Sequence, residues 1–528
     1  MPQHGTLLGG CQGMAPVHGI SWDDRKRRTV TAMAGVTAVL LTAGTFATTV
    51  HAASPLESMI VRAQPGQVAA AEQDVTALGG QVTAQIGLIN AVVADVPADT
   101  IRELSASAGV AQVTSNAPVH LLGSSYSETN GSYDAATDVD SMFNVEQMDG
   151  AHTFWNAGYT GQGVGVALVD SGVAPVNGLT TPGKVVYGPD LSSEARYPAL
   201  RNLDTFGHGT HMAGIIAGLD NGVSSVSSSD SSDFMGMAPN AQIVSLKVAN
   251  ALGQTSVARV LMAIDWVVKH QNSNGMNIGV LNLSYGTDTD NSYVLDPLAY
   301  AAEQAWLSGI VVVVAAGNEG NYADGLEDPA IDPYVIAVGA ADTENTMSVS
   351  NDQPASFTSQ GDGTRKPDLA APGTHIVSLR DPDSFIDDTF GATATVDGRF
   401  FLGSGTSQAA AIVSGAAALL LSQRPSLTPD QVKALLVDNT TPINGPQDLI
   451  GSGELNLAAV LNAPTPNNAT QTWPTSNAGD GDGSMSPYGA SWSGASWSGA
   501  SWSGSSWSGA SWSGSSWSGS SWSDAAWS

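Results

Sequence analysis

"GVGVALVDSG", residues 163–172, is the stretch of sequence that decides the fold. Its apolar residues run on to Asp170 with little alternation, which is typical of a strand buried on both faces of a parallel sheet. Similar runs follow in "AQIVSLKV", "IGVLNLSY", "GIVVVVAAG" and "YVIAVGA". Helical patterns lie between them, among them "TSVARVLMAIDWVVKHQ", for which Thr255 or Ser256 is the expected cap. The alternation predicts a doubly wound α/β domain of mostly parallel strands, with its active site beyond their carboxyl ends.

The chain divides into segments of different composition. Arg25–Arg28 precede an uncharged run and small residues at Ala52–Ala53, which predicts a secretory signal, with an uncleaved anchor as the alternative. A β-α-β-β-α-β pattern then predicts a small ferredoxin-like α+β domain. The predicted segments are a signal with a long N-region (1–53), the small domain (57–122), a linker (123–143), the α/β domain (144–462), a polar linker (463–490) and a repeat tail (491–528).

Charge and cysteine content exclude several classes of function. The 18 Lys and Arg residues face 48 Asp and Glu residues, a net charge of −30. Such a surface repels nucleic acid and anionic membranes, so no nucleic-acid partner is expected. Cys11 is the single cysteine and precedes the predicted cleavage site, which excludes disulfides and thiolate chemistry from the exported chain.

The tail repeats a tryptophan every five residues, from Trp492 to Trp527. Serine and glycine spacers cannot build a packed core, so the sequence predicts disorder for this tail. Evenly spaced indoles suit contact with carbohydrate or a cell wall. The alternative is a low-complexity tail with no binding role.

"FGHGTHMAGIIAG", residues 206–218, holds two histidines that could be metal ligands or include a catalytic base. A zinc site needs three or four ligands, and neither cysteine nor an H-E-x-x-H motif supplies them. His270 ends an amphipathic pattern and His375 lies in an expected strand, so neither adds a ligand. No metal site is predicted at His208 and His211.

The serine-rich loop 219–236 contains carboxylates that could bind calcium. Asp220, Asp230 and Asp233 are the possible ligands, but solvated loop carboxylates are the favoured interpretation. A structural calcium ion is therefore possible without a clear site, and no cofactor is predicted.

Three residues could form a nucleophilic site. Asp170 ends a buried strand, His208 opens an apolar helix, and Ser407 follows a glycine-rich turn into another helix, whose dipole would favour a developing oxyanion. Taken singly, Asp170 could be a turn former and Ser407 an N-cap. Their order is acid, base, nucleophile, and no histidine follows Ser407, which excludes the α/β-hydrolase order.

"VALVDSGV", "GHGTHMAG" and "GTSQAAA" resemble the three catalytic segments of the subtilisin-like serine proteases, and the resemblance covers about 144–462. It implies that Ser407 is the nucleophile, His208 its base and Asp170 the residue that orients the base, and it makes His211 structural. The segment 57–122 resembles the family's inhibitory propeptide. The family often has Met and Pro-His after the nucleophile, where this chain has Gln408 and Ala411-Ile412.

The resemblance also implies the groups around the reacting carbonyl. Asn318 in "VVVVAAGNEG" matches the oxyanion-hole asparagine. Ser284, Tyr285 and Gly286 resemble the strand that pairs with the substrate backbone. Ala315, Ala316 and Gly317 resemble the opposite wall of the primary specificity pocket, and such small residues predict an open pocket for a large apolar side chain.

Together these features predict a secreted serine endopeptidase that acts on protein or peptide substrates. It is expected to be a zymogen that cuts off its own inhibitory propeptide after residue 115, and to be extracellular or attached to the cell surface through the tail. One alternative is a catalytically idle secreted binding protein that works through the tryptophan repeat. Another is a hydrolase of other acyl substrates on the same fold.

Overall fold

The computed structural model describes residues 54–121, 133–287, 292–322 and 325–475. The predicted signal, most of the predicted linker after residue 121 and the tryptophan repeat lie outside these residues. Among the residues described, no helix is long and apolar enough to cross a membrane.

The small domain is an antiparallel sheet with two helices. Strand order across the sheet is β2-β3-β1-β4. Val61 and its alternate neighbours pack against the two helices, whereas Ile60 joins the core of the large domain, because successive side chains of a strand point to opposite faces. Its elements are β1 (Leu56–Ala63), α1 (Val68–Ala77), β2 (Gln81–Ile86), β3 (Ala91–Pro97), α2 (Ile101–Ser105) and β4 (Val110–Ser115).

The large domain has a mostly parallel eight-stranded sheet, which confirms the predicted α/β class. After the connecting strand β5 (Pro118–Leu121), its strands are β6 (Gly165–Asp170), β7 (Val185–Tyr187), β8 (Gln242–Lys247), β9 (Thr255–Ser256), β10 (Ile278–Leu283), β11 (Tyr285–Gly286), β12 (Val311–Ala315), β13 (Ile336–Asp342), β14 (Gln353–Pro354), β15 (Leu369–Pro372), β16 (Ile376–Leu379), β17 (Thr395–Val396) and β18 (Phe400–Gly403). Its helices are α3 (Met142–Met148), α4 (Ala151–Asn156), α5 (His208–Ala217), α6 (Val257–His270), α7 (Pro297–Leu307), α8 (Phe385–Ala394), α9 (Thr406–Gln423), α10 (Pro429–Val437), α11 (Gln447–Ile450) and α12 (Leu457–Val460).

The order β13-β12-β10-β6-β8-β7 places β6, β10 and β12 at the centre of the sheet, in parallel. These strands are buried on both faces, as their unbroken apolar runs predict. Because parallel strands end at the same edge, the residues that follow β6, β10 and β12 meet there. The expected strand at His375 is wrong: this residue has a left-handed backbone, φ +58°, in the turn before β16.

The small domain is attached to α6 and α7. The backbone N–H of Leu88 donates to Asp265 Oδ1 at 2.8 Å, and the Arg62 guanidinium lies 4.1 Å from the centre of the Tyr300 ring. Burial at this contact lowers the pKa of Arg62 to about 10. Asn116 Oδ1 accepts from the N–H of Ala258 at 2.8 Å, so the first turn of α6 is capped from outside the helix, and no side-chain cap comes from Ser256.

Candidate active site

Asp170 and His208 form a buried pair at the edge of the sheet. Asp170 is the last residue of β6, and its Oδ1 and Oδ2 lie 2.8 and 2.9 Å from His208 Nδ1. A carboxylate can only accept here, so Nδ1 carries the proton and Nε2 is left as the basic nitrogen. The N–H of Ser171 donates to Asp170 Oδ1 at 2.7 Å and fixes the carboxylate.

A glycine makes this pair possible. His208 opens α5, and Gly209 follows it directly against the turn after β6. A Cβ at Gly209 would overlap the Gly172 carbonyl and come within 3.1 Å of Asp170 Oδ1. The close approach of helix and strand therefore requires glycine at this position.

His211 has a different partner from His208. It lies one helical turn later, and its Nε2 is 3.1 Å from the carbonyl oxygen of Phe401. Burial lowers the pKa of His211 to about 3, so the ring is neutral and donates to that carbonyl. The two histidines therefore point to separate sites, and no three carboxylate, imidazole or thiolate groups of the described residues converge on a point where a metal could bind.

Ser407 lies in the first turn of α9, which packs against α5. The N-cap interpretation of Ser407 is wrong, because the helix begins at Thr406 and Gly405 is the cap residue. Ser407 Oγ donates to the Ser284 carbonyl at 3.3 Å, and Ser284 Oγ donates to the Ser407 carbonyl at 3.4 Å. The serine therefore sits against the residue that separates β10 from β11.

Asn318 follows β12 and is held by one end of its side chain. The N–H and the Oγ1 of Thr406 both donate to Asn318 Oδ1, at 3.0 and 2.9 Å. Asn318 Nδ2 is buried and has no hydrogen-bond partner among the described residues. The amide is thus fixed in orientation beside Ser407, with its donor group unused.

One of the two walls predicted for substrate binding is paired with a strand of the chain itself. β5 pairs antiparallel with β11, with Leu121 opposite Tyr285 and the next pair at Gly286, and on its other edge β5 pairs with β9. An extended segment from the N-terminal side of the chain therefore lies as an added strand in the cleft.

The expectation of an open apolar pocket is wrong. Glu327, from the loop between β12 and β13, is 4% exposed, and its carboxylate lies close to Gly286 and Gly317, one residue of each wall, so the site is polar. Its Oε1 accepts from the N–H of Asn318 at 3.3 Å. Sequence reasoning missed this residue, since a glutamate in a polar loop carries no periodic signal.

The loop 219–236 uses its carboxylates within the protein. Asp220 pairs with Arg399 and accepts from the N–H of Phe234 at 2.9 Å. Asp230 accepts from the backbone and hydroxyl of Ser232, at 3.0 and 2.6 Å. Asp220 therefore ties the loop to the start of β18.

Comparisons with known proteins give one consistent result. The model of the subtilase family matches residues 161–460. Serine protease AprX of Bacillus subtilis is 40% identical over 288 residues, which are 53% of this chain and 62% of AprX. Subtilisin E of the same species is 30% identical over 384 residues, which are 72% of this chain and 83% of subtilisin E. The crystal structure of fervidolysin from Fervidobacterium pennivorans superposes with a TM-score of 0.60 at 24% identity, over 79% of this chain and 62% of fervidolysin, which shows the same fold.

Proposed function

This chain belongs to the subtilase family of subtilisin-like serine proteases, and on that premise we propose that it is a secreted endopeptidase that uses Asp170, His208 and Ser407. Ser407 Oγ attacks the carbonyl carbon of a peptide bond while His208 Nε2 takes its proton. His208 then gives that proton to the leaving amine, and water releases the acyl group from Ser407 by the same steps in reverse. Asp170 holds the ring in the required tautomer, and the reaction uses no cofactor.

The observation that carries the proposal is the state of Asn318. Its Oδ1 is fixed by two bonds from Thr406, while its buried Nδ2 has no partner in the described part of the chain. A buried donor without a partner is costly unless another group uses it. An oxyanion beside Ser407 would take a hydrogen bond from this amide, so the donor is kept for the transition state.

Replacing Asn318 by alanine is expected to lower kcat by about 100- to 1,000-fold with little change in KM, because the lost bond forms in the transition state. That magnitude is the one known for subtilisin, the relative on which it was measured, and is carried over with the family. The measurement is steady-state hydrolysis of a peptide p-nitroanilide. Asn318→Asp is the matched variant, since it keeps the oxygen that binds Thr406 but removes the donor. Full activity in Asn318→Asp would contradict the role.

We further propose that the small domain is an inhibitory propeptide. Its support is the pairing of β5 with both β9 and β11, which fills the cleft with the chain's own backbone. The Leu88 and Arg62 contacts hold the small domain on α6 and α7 beside this cleft.

The strand register predicts where the chain is cut. Leu121 lies opposite Tyr285, and the next residue back in the large domain is Ser284, which contacts Ser407. The bond that reaches Ser407 is therefore one or two residues beyond Leu121. Amino-terminal sequencing of the mature protein is expected to begin at residue 123 or 124. A first residue before 118 or after 133 would mean that another site or another protease processes the chain.

A further inference from the structure

Two glycines, one on each wall of the substrate cleft, make room for a carboxylate. A Cβ built on Gly286 in β11 would overlap Glu327 Oε2. A Cβ built on Gly317, after β12, would lie 2.9 Å from both Cγ and Oε1 of Glu327. One carboxylate oxygen of Glu327 therefore lies close to each wall.

The position of Glu327 is fixed by the backbone. The N–H of Glu327 donates to the Ala316 carbonyl at 3.1 Å, and the N–H of Asn318 donates to its Oε1 at 3.3 Å. Both bonds come from the wall that also carries the proposed oxyanion donor. The carboxylate is thus tied to the wall that carries Asn318.

The chemistry of this site differs from that of an apolar pocket. A leucine or phenylalanine side chain placed beside this buried carboxylate would offer it neither a hydrogen bond nor a compensating charge, which is unfavourable. An ionised carboxylate only accepts hydrogen bonds, as Glu327 does from the N–H of Asn318. Ammonium and guanidinium groups supply hydrogen-bond donors together with a compensating charge.

We propose that Glu327 sets the specificity of this enzyme for substrates with lysine or arginine immediately before the scissile bond. The inference rests on the proposed function, from which it takes Gly286 and Gly317 as walls of the pocket for that residue. The proposed removal of the propeptide cuts one bond, beside the leucines at 121 and 122, within the enzyme's own chain. It is a single event in which no substrates compete, so it does not test this preference.

The test is a series of fluorogenic tetrapeptide amides that differ only in the residue before the scissile bond: lysine, arginine, leucine or phenylalanine. The mature wild-type enzyme is expected to cleave the lysine and arginine substrates with a kcat/KM at least about tenfold higher than the other two. Glu327→Gln is expected to lower kcat/KM for the basic substrates by about tenfold or more and to remove the preference. Asp438→Asn, an equal charge change at an exposed position after α10, should keep the wild-type ratio.

Two outcomes would overturn the proposal: a wild-type preference for leucine or phenylalanine, or a lysine-to-leucine ratio that changes less than twofold in Glu327→Gln. The wild-type series decides the question even where Glu327→Gln does not fold. Labelling with a fluorophosphonate probe separates this result from the proposed function. An enzyme that labels but prefers apolar residues is a serine protease with another specificity, whereas a wild type that neither labels nor cleaves any substrate refutes the proposed function itself.

Discussion

Replacing Ser407 by alanine is expected to lower kcat by about a millionfold and to leave the secreted chain at full length. The magnitude is that of the nucleophile in subtilisin, the relative on which it was measured. In the proposed reaction, Ser407 supplies the oxygen that attacks both the substrate and the bond beyond Leu121. The measurement is a gel of wild type and Ser407→Ala treated with a fluorophosphonate probe, beside a peptide hydrolysis assay.

The wild type is expected to label and to lose its propeptide, and the variant to do neither. Ser414→Ala is a control in the same helix, because its hydroxyl bonds Asn282 Oδ1 at 2.8 Å and plays no part in the proposed reaction. Ser414→Ala should react with the fluorophosphonate probe and lose its propeptide as the wild type does. A Ser407→Ala chain that still cleaves itself would assign the chemistry to another residue.

Replacing Asp170 by asparagine is expected to lower kcat by about ten-thousandfold, the effect of this change in a Ser-His-Asp triad. The carboxylate accepts from His208 Nδ1 through both oxygens, at 2.8 and 2.9 Å. An amide NH₂ in that place would donate to Nδ1 and move the ring proton to Nε2, which then cannot accept from Ser407. The loss of kcat is measured by pre-steady-state and steady-state hydrolysis of the peptide p-nitroanilide.

The thermal unfolding midpoint must be compared beside the rate, because Asp170 also accepts from the N–H of Ser171. A folded Asp170→Asn protein that retains a tenth of the wild-type rate would contradict the role of this carboxylate. Asp438→Asn is again the control, because it makes an equal charge change at the surface. Little loss of kcat is expected for it.

The parts of the fold that the sequence predicts are those with local signals. The unbroken apolar run ending at Asp170 predicts a central strand and places a carboxylate at its end. The glycine-rich turn before Ser407 and the start of an apolar helix at His208 are equally local. Each of these residues therefore appears where its own segment indicates.

The features that sequence reasoning missed depend on segments far apart in the chain. Asn116 caps α6 across 142 residues, in place of the expected Thr255 or Ser256. The Asp220–Arg399 pair joins positions 179 residues apart. Glu327 is carried into the cleft by an irregular loop, so no composition or periodicity marks it. His375 adopts a left-handed turn despite its apolar neighbours, which a propensity argument cannot detect.

The strand β5 has a consequence for how activity would respond to dilution. While β5 is joined to both domains, it faces β9 and β11 at a local concentration that does not depend on how much protein is present. In the proposed processing, the cut beyond β5 turns the small domain into a separate molecule, whose occupancy of the cleft would then follow mass action. Freshly processed enzyme should therefore remain inhibited in a concentrated sample and become active on dilution.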